Sequence, residues 1–360
     1  ASDTRTLFDG HTVWHWRRPS PLDRLPVIRD LHAAFRRFAL YARIWRDTHH
    51  RVVLSAGYRW PQLLLLAAIC RLRGKAFVLE LNELPHSIRA SRLQTPWANR
   101  LQRRLTLALA FPRMDGFLAI SEPLRTLAMR HARPSAKALK LPILTNLIPA
   151  EPSPAEPTPA DPDPTPPIST APAILFHAGT LTPEKDGILH VFQAVAIAIR
   201  DHGANLRFVL SNRTALPYIL AQIDRILDAN AIREHVTFHN HLSAADLAAA
   251  YRSCTMVVLN KPDNLRNRHN FATKLGECMA HGLPVITTAI GESAAYLTHG
   301  QNALIIRDSE SPEEIASHML TLLRQPALAA RLGQNARATA AAHFHYARHQ
   351  RALAGFFRSF

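Results

Sequence analysis

Residues 273–291 read TKLGECMAHGLPVITTAIG and place a cation, a carboxylate and a helix start within one short stretch. The apolar spacing predicts a helix opening at Thr273. The first turn of a helix presents unpaired N–H groups and a partial positive charge, which favour phosphate. Thr273 is expected to cap that end, and Lys274 adds a full positive charge beside it. Glu277 falls one turn further in, on the side of Thr273 and Lys274. Gly282 suits the left-handed residue after a helix, and Pro284 prevents its continuation. Val285, Ile286, Thr287 and Thr288 read as a buried strand. A phosphate at the helix start and a hydroxyl-bearing group at the carboxylate together describe a nucleotide diphosphate sugar. A purely structural reading competes, since a Thr-x-x-Glu capping box would also place a carboxylate here. The third residue after Thr273 is Gly276, however, and Glu277 comes one position late.

The segment TKLGECMAHGLPVITT resembles the SKLxExxAxGxPVVxT stretch of GT-B-fold retaining glycosyltransferases of group 1 (family 4). The resemblance rests on Thr273, Lys274, Glu277, Gly282 and Pro284. It implies that Glu277 binds the nucleotide ribose and that the helix start and Lys274 meet the diphosphate. An earlier Glu, near the sugar in many members, falls at His269 here; a shorter form without that Glu also occurs in the family. Gly179–Gly187 (GTLTPEKDG) is similar to the family's G-R-x-x-x-x-K-G loop, whose Arg and Lys clamp the donor pyrophosphate. Lys185 takes the Lys position, Gly179 the Gly position and Thr180 the Arg position. The missing cation predicts compensation by another group, such as Arg213 or Lys261. A solvated loop lysine is the bland alternative for Lys185. Phe238–Leu242 (FHNHL) matches an F-x-G-x-h element beside the base, with Asn240 at the glycine.

What the resemblance implies is therefore an α/β protein of the GT-B type, two Rossmann-like doubly wound parallel-sheet domains facing a cleft. The donor would be a UDP- or GDP-sugar, with no further cofactor and no metal. Lys185, Lys274 and Glu277 would act on the donor, with Gly179, Thr180, Thr273, His269 and Asn240 around it. No protein nucleophile is evident, which suits a front-face mechanism in which the leaving phosphate helps to deprotonate the acceptor.

The elements that must carry these residues can be read in outline. Arg51–Gly57, Ala76–Leu81 and Gly116–Ile120 read as strands, with a helix over Pro61–Arg73 and another capped by Ser121. Their alternation argues for a parallel sheet. Val52, Val53, Gly57, Glu80, Asp115, Ser121, Glu122 and Leu124 match the family's N-terminal domain. Residues 149–172 hold ten prolines, four acids and no basic residue, which predicts a semi-extended linker. Strands at Ala173–Ala178, Leu206–Leu210, Val236–Phe238, Met256–Leu259 and Ala303–Ile306 then alternate with helices. The predicted organisation is an acceptor domain over 1–148, the linker over 149–172, a nucleotide-sugar domain over 173–342, and a helix over 343–360 that crosses back to the first domain. His11–Trp16 reads as a second strand, so roughly one βα unit of the family's N-terminal domain is expected to be missing.

Composition narrows the partners. Hydrophobic content of 47% with 19% charged residues fits a globular chain. Cys70, Cys254 and Cys278 form no close pair and no metal spacing, which suits a reducing compartment and a cytoplasmic location. Residues 1–149 carry 25 Lys and Arg against 9 Asp and Glu, while the remainder carries 18 against 18. So lopsided a charge suggests an anionic membrane surface, a pyrophosphate-bearing acceptor or nucleic acid. Arg29–Arg46 and Trp97–Arg113 are basic and amphipathic, fitting either half-buried helices or docking on the inner leaflet. A lipid-linked or glycan acceptor in envelope polysaccharide synthesis would follow. The rivals are a catalytically degenerate scaffold, a nucleotide-sugar epimerase and, on charge alone, a nucleic-acid binder, for which no recognition motif is seen.

Overall fold

Short β-branched runs separated by amphipathic helices give two parallel sheets. The computed structural model describes residues 4–8, 11–15, 38–57, 59–86, 96–142, 145, 171–240 and 242–360. The proline-rich stretch over 149–170 and residues 29–37 of the first basic stretch lie outside the described residues.

Strands β1 (Thr4–Phe8) and β2 (His11–His15) pair antiparallel, from Thr4 against His15 to Phe8 against His11. The strand read at 11–16 therefore does not join the parallel sheet. Only two residues separate the two strands, and so short a connection permits antiparallel pairing alone. After a helix over 38–46, here α1, come β3 (Val52–Ser55), α2 (Trp60–Leu72), β4 (Ala76–Leu81) and α3 (Pro96–Leu105). Then follow β5 (Gly116–Ala119), α4 (Glu122–His131) and β6 (Lys137–Lys140). The four strands β3 to β6 lie in sequence order and all run parallel. Helix α2 carries Pro61 in its first turn, where the missing N–H costs nothing. It buries Leu63, Leu66, Ala67 and Cys70, the i, i+3, i+4, i+7 stripe of a helix lying on a sheet.

The second domain holds β7 (Ala173–His177), α5 (Pro183–Asp186), α6 (Ile188–Ala196), β8 (Leu206–Leu210), α7 (Pro217–Ala229) and β9 (Val236–Phe238). It continues with α8 (Ala244–Ser253), β10 (Met256–Leu259), α9 (Leu265–His269), α10 (Thr273–Ala280), β11 (Val285–Thr288) and β12 (Leu304–Ile306). Its six strands run parallel in the order β12-β11-β10-β7-β8-β9. The order reverses between β7 and β10, and the loops after those strands diverge to leave a crevice at their carboxyl ends. Helices α11 (Pro312–Arg324), α12 (Pro326–His343) and α13 (Gln350–Arg358) complete the chain.

Helix α13 leaves the second domain and packs on the first. Phe356 clusters with Val78 and Leu118 of the first sheet. Phe356 and Phe360 both lie over Gly116, where even a Cβ would meet the Phe360 ring at 2.5 Å. The aromatic tail read from the sequence thus covers the sheet face that β4 and β5 leave apolar.

Candidate functional site

The carboxyl ends of the two sheets face each other across a cavity of about 380 Å³. The second domain supplies His177 at the end of β7, Ala178, Gly179 and Thr180 after it, Lys185 and Asp186 from α5, Lys261 after β10, and Thr273 and Lys274 from α10. The first domain supplies Glu80 from the end of β4, Asn82 and Glu83 after it, and Ile120 after β5. Three lysines therefore stand on one wall and two carboxylates on the other.

Helix α10 starts at Thr273, but Thr273 is its first helical residue. Ala272 occupies the capping position, and no side chain caps the end. The expectation that Thr273 caps this helix is corrected: a capping residue must sit outside the helix with its oxygen turned back to the first turn. The first-turn N–H groups thus have no side-chain acceptor, and Thr273 and Lys274 line the cavity. The helix ends as predicted, with Gly282 at φ +71 and its N–H donating to Met279 O at 2.9 Å.

Glu277 is set back from the cavity wall. Its Oε2 accepts from Lys274 Nζ at 3.1 Å and from Tyr251 Oη at 3.1 Å. Lys274 lines the cavity and ties Glu277 to it through this ion pair. Burial holds the Tyr251 phenol in its protonated, donating form. Cys278, beside Glu277, is 1% exposed and burial pushes its thiol up, which makes it a core residue.

The Lys185 loop is fixed from below. Helix α5 stops at Gly187, at φ +50. Asn267 is buried, and its Nδ2 donates to Pro262 O at 2.8 Å and Lys185 O at 3.3 Å. Asn264 Nδ2 donates to Glu184 O at 2.7 Å. These two asparagines tie the turn after β10 to the loop after β7, so the lysine-bearing loops move as one piece. Lys261 forms a shielded ion pair with Asp186, the two side chains being 15% and 12% exposed. Burial pushes the Lys261 ammonium pKa down, and Asp186 opposes that shift. His177 is 4% exposed, its Nε2 has no hydrogen-bond partner, and burial pushes its pKa down to about 4.

Two predicted residues lie elsewhere. His269 faces a separate groove beside α4, with its ring nitrogen at 2.9 Å from Leu265 O. The chain turns at Asn270, so His269 points away from the cavity that Asn270 and Phe271 line. Asn240 follows β9 at the edge of the sheet, outside the cavity lining. Of the two candidates to replace the absent loop cation, Lys261 lines the cavity. Arg213 instead pairs with Asp224 at 2.9 Å and covers the Phe238 ring. The sequence reading assigned no role to His177, Asp186, Asn267, Asn82 or Glu83. Their signal lay in position, at or beyond the carboxyl ends of strands β4, β7 and β10, rather than in any motif.

Two further contacts join the domains. Ser121 Oγ donates to His269 O at 2.5 Å, and Arg266 pairs with Glu83 at 3.2 Å.

Comparisons with known proteins agree with this architecture. Residues 172–325 match the family model described as glycosyl transferases group 1. Over 116 residues the chain is 29% identical to spore coat protein SA of Bacillus subtilis (strain 168). That stretch is 32% of this chain, and the chain spans about 30% of the length of that curated relative. Among solved structures, Anabaena HepE in complex with UDP superposes with a TM-score of 0.67 at 17% identity, over 89% of this chain and 82% of that one. Sucrose-phosphate synthase from Thermosynechococcus elongatus gives 0.62 at 17% identity, over 86% and 73%. The fold is GT-B, and the match to the group 1 glycosyl transferase model lies in the second domain.

Proposed function

We propose that the chain is a retaining glycosyltransferase that moves a hexose from a UDP- or GDP-sugar to a lipid-linked or glycan acceptor, without a metal ion. The observation that carries this reading is the cleft: Lys185, Lys261, Lys274 and the uncapped start of α10 face Glu80 and Glu83 of the other domain. A departing diphosphate gains negative charge at its bridging oxygen as the sugar bond breaks. Fixed cations and helix N–H groups lower the barrier because they need no rearrangement at that moment. The second domain would bind the donor, as the UDP in the HepE complex suggests by analogy of fold. Glu277 would hold the ribose hydroxyls at the far end of the helix turn.

The acceptor would enter from the first domain. That domain holds the excess of basic residues, and among the described residues Trp45, Trp97 and Leu101 are exposed beside arginines. These features support an acceptor on an anionic leaflet and a role in envelope or exopolysaccharide synthesis. Among the described residues no helix is long and apolar enough to cross a membrane.

Calorimetric titration of UDP and GDP into the protein tests the reading. Binding of one of them should weaken in Lys274→Ala and in Glu277→Ala. Unchanged affinity in both variants would remove the site assignment. A non-catalytic scaffold is the second reading, favoured by His269 and Thr180 standing where the family resemblance expects Glu and Arg. It predicts nucleotide binding with neither hydrolysis nor transfer of the donor sugar.

A further inference from the structure

We propose that Lys261 is a phosphate-binding cation of the cleft, held against Asp186 until a nucleoside diphosphate takes its ammonium. The inference rests on the nucleotide-sugar reading and adds to it the handover of the Lys261 ammonium from Asp186.

The argument begins with placement. Lys261 is the second residue after β10, on the inner side of the switch point where strand order reverses, and it lines the same cavity as Lys185 and Lys274. Its backbone is fixed, with its N–H donating to Thr288 Oγ1 at 3.1 Å and its carbonyl accepting from the same hydroxyl at 3.0 Å. The ammonium is thereby delivered from a rigid strand end rather than from a flexible loop.

Charge is the second strand of the argument. The loop after β7 offers one cation, Lys185, since Thr180 beside it is neutral. Lys185 has no ion-pair partner among the described residues. Lys261 and Lys274 are each matched by one carboxylate, Asp186 and Glu277. A buried lysine facing other lysines gains nothing for folding that an apolar side chain would not supply. It gains a purpose when an anion of more than one charge enters.

A third observation is independent of the lysines. His177 lines the cavity next to this pair, buried and with Nε2 unpartnered. Buried polar nitrogens are ordinarily paired, so an unpartnered imidazole beside the pair leaves polar bonding capacity open at this end of the cavity.

The handover exchanges one anionic partner of the ammonium for another. Without ligand the ammonium donates to Asp186. With a diphosphate it would donate to a phosphate oxygen instead, leaving the Asp186 carboxylate without its ion-pair partner. The exchange makes Lys261 report on the second phosphate and not on the base or ribose.

The experiment compares a nucleoside diphosphate with its monophosphate. Titrations of UDP, UMP, GDP and GMP into the full chain establish which base binds. Lys261→Met should weaken diphosphate binding by about tenfold or more, the size of a lost charge-assisted hydrogen bond. Monophosphate binding should stay within about twofold. Lys261→Arg should recover most of the difference, and Asp186→Asn should strengthen diphosphate binding by releasing the ammonium. Equal affinities of Lys261→Met and the native chain for the diphosphate would overturn the proposal. So would an equal loss for diphosphate and monophosphate, which would mark Lys261 as structural. A native chain that binds none of the four nucleotides would overturn the nucleotide-sugar reading itself, and this inference with it. Thermal unfolding of each variant confirms that the comparison is made on folded protein.

Discussion

Glu292 of the second domain and Lys140 of the first form an ion pair at 2.8 Å, with the Glu292 side chain 2% exposed. The other carboxylate oxygen accepts the Glu122 N–H at 2.7 Å, at the start of α4. Tyr296 Oη donates to the first oxygen at 2.8 Å. One buried carboxylate thus holds a strand end and a helix start of the opposite domain.

Removing that carboxylate should loosen the domain pairing. Glu292→Ala leaves Lys140 and the Glu122 N–H without their acceptor and is expected to cost about 2–3 kcal/mol. Lys140→Met leaves a carboxylate that cannot reach water and should cost a similar amount. The double variant should cost less than the sum, because the two share one interaction. Chemical denaturation of the three variants measures this, and additive losses would refute the coupling.

Gly187→Ala should damage the lysine loop. Gly187 sits at φ +50, and an added Cβ would collide with the Asn260 side chain and approach its carbonyl oxygen at 3.1 Å. The strain and the clash together are expected to cost about 2 kcal/mol. Because Lys185 precedes the turn by two residues, affinity for nucleotide should fall as well. Stability lost with nucleotide affinity intact would separate the turn from the site.

Acid should destabilise the fold through His177. Its pKa is 6.5 unperturbed and about 4 in the folded chain, because burial penalises the charged ring. Between those values the unfolded chain binds more protons, so stability falls as pH drops from 6.5 towards 4. The loss from this residue is at most about 3 kcal/mol. His177→Gln should flatten the dependence of the unfolding midpoint on pH in that window. Some slope should remain, since burial also lowers the pKa values of His281 and His318.

Phe356→Ala should detach the last helix. Phe356 is 9% exposed and packs between Val78 and Leu118. Truncation is expected to cost about 3 kcal/mol and to raise amide exchange in α13 and β4. Unchanged exchange in β4 would show that the helix does not support the first sheet.

Much of this protein was legible in its sequence because the signals are local. Strands such as AFVLEL and MVVL are short apolar runs bounded by breakers, and helix α10 is bounded by Gly282 and Pro284. These are properties of neighbouring residues, so the α/β alternation, the parallel sheets and the segments carrying Lys185, Lys274 and Glu277 could be read directly. Helix α12 and strand β6 carry weaker signals. The first is alanine-rich with little amphipathic contrast, and the second, KALK, is only four residues long with a lysine at each end.

What only the tertiary structure decided is which residues meet. His269 and Asn240 sit at motif positions, yet local backbone direction turns the first away from the cavity and edge placement excludes the second. Thr273 begins the helix without capping it because Ala272 takes the extended conformation first. Conversely, Lys261 and Asp186 are 75 residues apart, and Lys140 and Glu292 are 152 apart. Sequence spacing carries no information on such pairs. Their partnership follows from strand order, since the reversal between β7 and β10 brings two distant loops to one crevice. The sequence by itself determined the elements and the chemistry available at their ends. The sheet topology and the domain pairing decided which of those groups share a cleft, because burial and charge act through space and not along the chain.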